Sequence, residues 1–500
     1  MPTIADLGQR LSRIDGRPYG AYRDLEGSYL LAPGLNLAIV HVQPDPFAPP
    51  SRLRITARAP WCDLPAHFAT TPLRRVATAD ILLRELGARL ARESQGALFI
   101  QHPGPEMRER SAIQLTQADD RGLELTLRMR LALPQAHGRR VDGRRAQRLL
   151  TEVLPLALER TLRAPGRNDA RIAEAISAIE RYARIAEALF EHRLVAFVAD
   201  GSILPRASGT SQAPLPASRA LPFVSPPERR VRLALDHGET VEGMGLPQGV
   251  TVLVGGGYHG KSTLLEALSR AIHPHVPGDG RERVVSLPDA VLVRAEDGRS
   301  VAGVDISPFV ENLPDRQDAR TFTTAKASGS TSQAAAVMEA LEAGTHLLLL
   351  DEDTSAANFL ARDSRMEALV PREEEPIRPF LSRVRFLAQR GISTILVAGS
   401  SGAAFEVADT VVQLLRYEPK DVTERAREIG GRRPSFSPAE DPFQALTPRR
   451  LRARSLKEFA ADKGIRLRGQ DTLELTRERQ VEAGRLPQVF EVGELHAIAA

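Results

Sequence analysis

The stretch that decides the fold is "TVLVGGGYHGKSTLLEAL", Thr251 to Leu268. Its centre, Gly255-x4-Gly260-Lys261-Ser262, is a complete phosphate-binding loop. The apolar run "VTVLV" before it reads as the end of a buried strand, and "STLLEALSRAI" after it has helical periodicity. That context turns a pattern into a site. Gly255, Gly256, Gly257 and Gly260 let backbone N–H groups turn inward around a phosphate, at a helix N-terminus whose dipole favours anions. Lys261 reaches the β- and γ-phosphates in this reading, the Ser262 hydroxyl ligates Mg²⁺, and Thr263 follows in the first helical turn. Tyr258 and His259 complete the loop that holds the nucleotide. Tyr258 lies against the ribose or base or packs on a neighbouring element; packing is the expected case. His259 alone carries no catalytic role.

Ninety residues on comes "HLLLLDEDTSAANF", His346 to Phe359. Four leucines followed by Asp351 and Glu352 describe a buried parallel strand that delivers carboxylates at its C-terminal end, where open α/β sheets bind ligands. Asp351 suits Mg²⁺ through a water. Glu352 points the other way along the strand and can orient or deprotonate the attacking water. Asp353 has no clear role. Between the motifs, "ASGSTSQAAAVMEALEAG" places Ser328, Gly329 and Ser330 at the start of a helical segment, with Gln333 following. A small-residue turn capping a helix is a second anion site in the same chain. One nucleotide rarely needs two helix ends from one protomer, so Ser328 and Gly329 are expected to clamp the γ-phosphate bound by a second copy.

Composition sets the frame. Five hundred residues allow two to four domains. The single cysteine, Cys62, excludes an internal disulfide and a multi-cysteine metal site. The N-terminus has no apolar core of a signal peptide and no run is long and apolar enough to span a membrane, so the expectation is a cytoplasmic protein without membrane insertion. Residues 1–200 mix strand-like alternation with helical patterns and read as an α+β domain. Residues 201–229, rich in Pro, Ser and Gly, read as a linker. Residues 230–418 alternate strand and helix as an α/β layer fold does. Residues 419–500 form a basic region with a small C-terminal element.

Net charge is only +4, but residues 51–150 carry 18 Arg and no Lys against 10 acidic residues. The candidate nucleic-acid contacts are Arg52 and Arg54 on one face of a strand, then Arg139, Arg140, Arg144, Arg145 and Arg148, with Arg144 and Arg148 on one helix face. The run "TPRRLRARSLK" adds Arg449, Arg450, Arg452, Arg454 and Lys457. Guanidinium groups bind phosphates at any sequence. Against this, Arg-rich faces are usually solvated, and few aromatics are available to stack bases.

The order of phosphate loop, serine-glycine turn, strand with Asp-Glu, then "TSAAN" (Thr354 to Asn358) resembles the ABC class of ATPases. Within it, "GGGYHGKSTLLEAL", "VDISPFVENLP", "ASGSTSQAA", "LLDEDTSAANFLARDSRMEALVPREEEPI" and "VAGSSGAAFEVADTVV" are similar to the soluble predicted ATPases of the ABC class, relatives of which include a kinetoplastid mitochondrial RNA-editing ATPase. The resemblance implies ATP as the nucleotide and a P-loop core of ABC type with a fused α+β N-terminal domain. It also implies a homodimer with nucleic acid, RNA in particular, in a basic channel. It departs from the transporter pattern in three places. "SGSTSQ" stands for "SGGQ", and Asp353 stands where proline is usual. Gly399, Ser400 and Ser401 stand where the switch histidine is expected, so the γ-phosphate sensor is a serine, with Ser400 the candidate, or is absent. Asp305 and Ser307 are weak substitutes for the lid glutamine. Two alternatives remain: a nucleotide-binding subunit of an ABC transporter, and an ATP-gated binding protein with little turnover. The gap of 68 residues from Lys261 to Gly329 disfavours the first.

Overall fold

The computed structural model describes residues 1–118, 122–209, 211–216, 218–313, 318–362, 369–370, 374–431, 440–443, 449, 465–469, 472–475, 480–483 and 488–499. Two units emerge: Met1–Glu180 with His275–Pro277, and Arg181–Pro274 with Gly278–Ala500.

The N-terminal unit begins with α1 (Ile4–Ile14), opened by a capping box in which the Asp6 carboxylate accepts from the Thr3 N–H at 2.7 Å. Strands β1 (Gly27–Ala32), β2 (Leu35–His41) and β3 (Ser51–Ala57) follow, then α2 (Pro72–Glu93), β4 (Leu98–Phe99), β5 (Ile113–Ala118) and β6 (Gly122–Leu131). They form an antiparallel sheet ordered β1-β2-β3-β6-β4, with β5 also on β6. Period-two burial explains it. In β3, Ser51, Leu53, Ile55 and Ala57 are buried while Arg52 and Arg54 face solvent. The short hairpin β7 (Gln135–Ala136) and β8 (Arg140–Val141) leads into α3 (Gly143–Arg148), a π-helical stretch Leu149–Val153, α4 (Leu154–Leu162) and α5 (Asp169–Glu191).

In the second unit, β9 (Leu194–Ala199) precedes the hairpin β10 (Arg206–Ser208) and β11 (Ser211–Pro214). With β12 (Arg230–Ala234), β13 (Thr240–Pro247) and a later strand, β9 builds an antiparallel sheet. After β14 (Val250–Val254) and α6 (Lys261–Arg270) come that strand, β15 (Val284–Ser286), then β16 (Val291–Val293), β17 (Val301–Val304), β18 (Phe322–Thr324), α7 (Gly329–Glu342), β19 (Leu347–Asp351), β20 (Ser393–Ala398), β21 (Thr410–Leu415) and β22 (Glu418–Asp421). The main sheet runs β16-β19-β20-β14-β21-β22 and is parallel except at β22.

Its inner strands β19, β20 and β14 are buried along nearly their whole length because both faces are covered. Leu347, Leu349, Ile395 and Val397 join the core that holds Leu264, Leu265 and Leu268 of α6. Leu348, Leu350 and Leu396 join the core that holds Ala334, Val337 and Met338 of α7.

Three expected boundaries differ from the fold. Residues 194–199 were expected to end the first domain, but every residue of β9 is buried in the second unit's sheet, and the division falls inside α5. Residues 201–229 are no linker: Leu204, Ala220 and Phe223 are buried and the stretch carries a hairpin. The boundary after residue 418 cuts β22, whose pairing with β21 belongs to the main sheet. A three-stranded sheet of Arg466–Arg468, Thr472–Glu474 and Gln480–Glu482, with helix Val492–Ala499, forms the C-terminal element. Among the described residues no helix is long and apolar enough to cross a membrane.

Candidate functional site

The glycine loop leaves β14 at Gly255, whose φ is 142° and where a Cβ would stand 2.3 Å from the Leu414 carbonyl oxygen. At Gly260, with φ 97°, a Cβ would meet the Tyr417 ring at 2.6 Å. Neither position accommodates a side chain. The two glycines between them differ. Gly256 and Gly257 are exposed; a Cβ at Gly256 would stand 3.5 Å from His259 Nε2, and one at Gly257 would meet nothing within 4 Å. Packing within the chain therefore does not demand glycine at Gly257. Only the approach of a ligand to the backbone would require it there. Lys261 is buried, and its Nζ donates to the carbonyls of Gly255 at 2.7 Å and Gly256 at 2.9 Å. Ser262 is exposed at the start of α6 and Thr263 half-buried. His259 has a mechanical part that its residue type did not announce. Its Nδ1 accepts from the Arg416 N–H at 3.3 Å and its carbonyl from the Tyr417 N–H at 3.1 Å. The loop tip is thereby tied to the β21–β22 turn, and the ring proton must sit on Nε2. Tyr258 does not pack as expected: it is 100% exposed with φ 62°.

Parallel pairing brings the ends of three strands level. Val254 stands opposite Ala398 and Val397 opposite Asp351, so Gly255, Gly399 and Glu352 leave the sheet side by side. Asp351 is 7% exposed, and one of its carboxylate oxygens accepts from the Asp353 N–H at 3.1 Å. This caps the turn that carries Glu352. The Glu352 carboxylate accepts from the Ser400 hydroxyl, from the Ser400 N–H at 3.1 Å and from the Gly399 N–H. Burial pushes this carboxyl up, but the bonds from the Ser400 hydroxyl and from the N–H groups of Ser400, Gly399 and Ser401 outweigh it. They hold it below the usual carboxylate range. Ser400, the candidate sensor, is thus bonded to the candidate base.

Ser328 is the N-cap of α7, its hydroxyl accepting from the Thr331 N–H at 3.4 Å. Ser330 donates to Asn358 Oδ1 at 2.6 Å. Gln333 is fully buried; it donates to Ser355 Oγ at 2.8 Å and accepts from the Ala356 N–H at 2.8 Å. It links α7 to the loop that follows Glu352, a link legible only as a glutamine at fixed offset from Gly329. Asp305 and Ser307 close their own turn, with Ser307 Oγ donating to Asp305 Oδ1 at 2.6 Å.

Beside the loop lies a pocket of about 200 Å³, lined by Leu204, Pro205, Leu215, Arg219, Leu221, Phe223, Gly260, Thr263, Leu414 and Tyr417. Sequence reasoning missed it because its wall comes from the stretch read as a linker. That wall is pinned from below. Arg281, 1% exposed, donates from Nε at 3.0 Å and from Nη2 to the Leu204 carbonyl, and Arg206 pairs with Asp279 at 2.8 Å. Burial and the neighbouring Arg206 lower Arg281 to about 10. Asp200 accepts from the Ser225 N–H at 2.6 Å.

Among the candidate nucleic-acid contacts, Arg52 and Arg54 stand exposed on β3, while Arg144, Arg145 and Arg148 are exposed on α3, which packs on α1 through Gly143. Arg140 donates to the Gly16 carbonyl at 2.8 Å. Arg139 lies over the Phe47 ring, 5.5 Å from its centroid. Arg449 pairs with Glu342 at 2.8 Å. Arg450, Arg452, Arg454 and Lys457 lie outside the described residues. Missed were Arg128 and Arg130 of β6, although "LRMRL" repeats the alternation of "RLRIT".

Comparison with known proteins follows the geometry. A family model described as the P-loop domain of the ABC ATPases matches residues 168–449, and one described as the N-terminal part of ATPases of the ABC class matches residues 4–164. An uncharacterized protein of Methanocaldococcus jannaschii is 33% identical over 144 residues, 28% of this chain; the chain spans about a third (32%) of that relative's length. Among solved structures, a transporter assigned to the metal-chelate ABC type, inward-facing, is 17% identical at a TM-score of 0.28, covering 46% of this chain and 84% of that one. An ATP-binding cassette of an ABC transporter in its ADP conformation is 12% identical at 0.25, covering 39% and 88%. Likeness at that level carries no argument about function.

Proposed function

The chain belongs to the ATPases of the ABC class, and from that premise we propose that it hydrolyses ATP with Mg²⁺, dimerises around two nucleotides and couples closure to RNA binding. The observation that carries the reading is the level exit of Gly255, Gly399 and Glu352 from adjacent strands, which gathers phosphate donors and carboxylates at one sheet edge.

Each residue has a task. Backbone N–H groups from Gly255 to Gly260, with Lys261, cradle the phosphates; Lys261 exchanges its two carbonyl partners for phosphate oxygens. Thr263 and the apolar wall of Leu204, Leu215 and Phe223 receive the ribose and base. The donor set fits Mg²⁺, which takes one or two protein oxygens and completes its shell with phosphates and water: the Ser262 hydroxyl and the Asp351 carboxylate are such oxygens. When bound, the ion neutralises charge building on the phosphates. Glu352, held ionised by its hydrogen bonds, orients the attacking water; its depressed pKa suits orientation better than proton capture. Ser400 senses the γ-phosphate by moving its hydroxyl from Glu352 to a phosphate oxygen. Ser328, Gly329 and Ser330, at the N-terminus of α7, close on the γ-phosphate held by Lys261 of a second copy, and Gln333 passes that contact to the loop beside Glu352.

The RNA part rests on the arginine-rich N-terminal unit. The test is binding of labelled single- and double-stranded RNA to the Glu352→Gln variant, with and without ATP, across a salt series. Affinity that rises with ATP and falls steeply with salt supports a nucleotide-gated clamp. An absence of binding at low salt rejects it, leaving an ATPase whose N-terminal unit grips something else.

A further inference from the structure

One face of the N-terminal sheet carries a square of arginines. In register, Arg52 of β3 stands opposite Arg130 of β6, and Arg54 opposite Arg128. All four are exposed, while the alternating Leu53, Ile55, Leu127 and Met129 are buried on the opposite face. Like charges directly opposed on neighbouring strands, about 5 Å apart, destabilise a sheet. Among the described residues no carboxylate offsets them. Arg128 donates to the Ser111 carbonyl and to Gln114 Oε1, each at 2.6 Å, but both acceptors are neutral. Among the described residues none of the four pairs with a carboxylate, and Glu124 on the same face of β6 is held by Arg58.

Four charges without a carboxylate partner among the described residues suit an anion from outside, and their layout says which kind. Along each strand the arginines are two residues apart, about 7 Å, so the square presents cations at regular intervals to a chain of phosphates. At the end of the sheet where Arg52 stands, the β2–β3 connection carries Phe47, 77% exposed, with the Arg139 guanidinium over its ring. An exposed aromatic with an arginine over its ring, in the loop that leads into a strand of alternating arginines, is a pairing that suits single strands, because unstacked bases offer their faces and duplexes do not.

We propose that the solvent face of β3 and β6 binds single-stranded RNA, with Arg52, Arg54, Arg128 and Arg130 holding backbone phosphates and Phe47 stacking a base. This rests on the RNA-binding reading above. It sharpens that reading in two ways: the contact surface is the sheet and not the arginines of α3, and the strand is single.

The experiment is fluorescence anisotropy on the full chain with a short labelled oligouridylate, an RNA duplex of equal length and polyglutamate as competitor, across a salt series. The R52Q/R54Q/R128Q/R130Q variant binds oligouridylate at least about 30-fold more weakly at moderate salt, and the slope of log affinity against log salt shrinks by about 3. Its unfolding midpoint changes little, since the repulsion removed offsets the bonds that Arg128 gives up to the Ser111 carbonyl and Gln114. Phe47→Ala weakens binding about tenfold and leaves the slope alone. The R144Q/R145Q/R148Q variant changes neither quantity. If the quadruple variant does not fold, R54Q/R128Q replaces it, with about half the change in slope.

A folded quadruple variant that binds like the wild type overturns the site. Duplex bound as tightly as single strand, or polyglutamate competing as well as RNA, overturns the choice of ligand. A wild-type chain that binds no RNA at low salt removes the broader reading along with this one, an outcome distinct from the other two.

Discussion

Glu352 and Ser400 hold each other, and that bond is where the chemistry is most exposed to test. Ionised Glu352 is favoured in the fold, so its stabilising contribution is present above the unfolded carboxylate range and is lost as pH falls through its depressed value. Turnover follows the same group and falls on that acid side. Ser400→Ala removes the hydroxyl and leaves the N–H donors to oppose burial, so the acid limb of the turnover profile moves to higher pH. A pH–rate profile of both proteins measures this, and an unmoved limb rejects Glu352 as the titrating group. Glu352→Gln lowers turnover by roughly two to four orders of magnitude while fluorescent ATP-analogue binding survives. Loss of binding in that variant would instead assign Glu352 to nucleotide affinity.

At the scale of elements, α7 and the loop after β19 meet through Gln333. Its side chain is fully buried and satisfies the Ala356 N–H and the Ser355 hydroxyl together. Gln333→Leu keeps the volume but strands a buried donor, which costs about 1–3 kcal/mol in chemical denaturation. Turnover drops more than ATP affinity, because the phosphate loop lies on other elements. Equal stability in the two proteins would mean that water replaces the amide. The phosphate loop is less forgiving. Gly255→Ala puts a methyl group 2.3 Å from a backbone oxygen at φ 142°, so the variant loses nucleotide binding and its midpoint falls; an unchanged thermal melt would contradict the packing.

For the whole molecule, the question is whether two copies close on ATP. Each chain has helix N-termini at Gly260–Lys261 and Ser328–Gly329, and in the proposed reading one nucleotide occupies the first. Glu352→Gln with ATP and Mg²⁺ is therefore expected to sediment as a dimer, and adding Gly329→Asp returns it to monomer by placing a carboxylate against the γ-phosphate. A Glu352→Gln chain that stays monomeric at saturating ATP removes the second-copy role from Ser328 and Gly329.

The sequence by itself determined where the phosphate-loop and carboxylate motifs stand. A glycine loop between a strand and a helix, and carboxylates ending an apolar strand, are local patterns whose chemistry needs neighbours only a few residues away. The alternation in "RLRIT" likewise announced which face of β3 meets water. Tertiary structure alone decided what depends on partners far along the chain. Burial of "LVAFVA" beside β13 moved the domain division, since a strand's membership is set by its pairing and not by its composition. Apolar contacts of Leu204 and Phe223 turned a Pro- and Ser-rich stretch into the wall of a pocket. Tyr258 was left in solvent at a strained backbone position that packing did not claim. Ser400 met Glu352, and Arg52 met Arg130, because register across a sheet joins residues separated by 48 and by 78 positions, and no periodicity in a single strand encodes that distance.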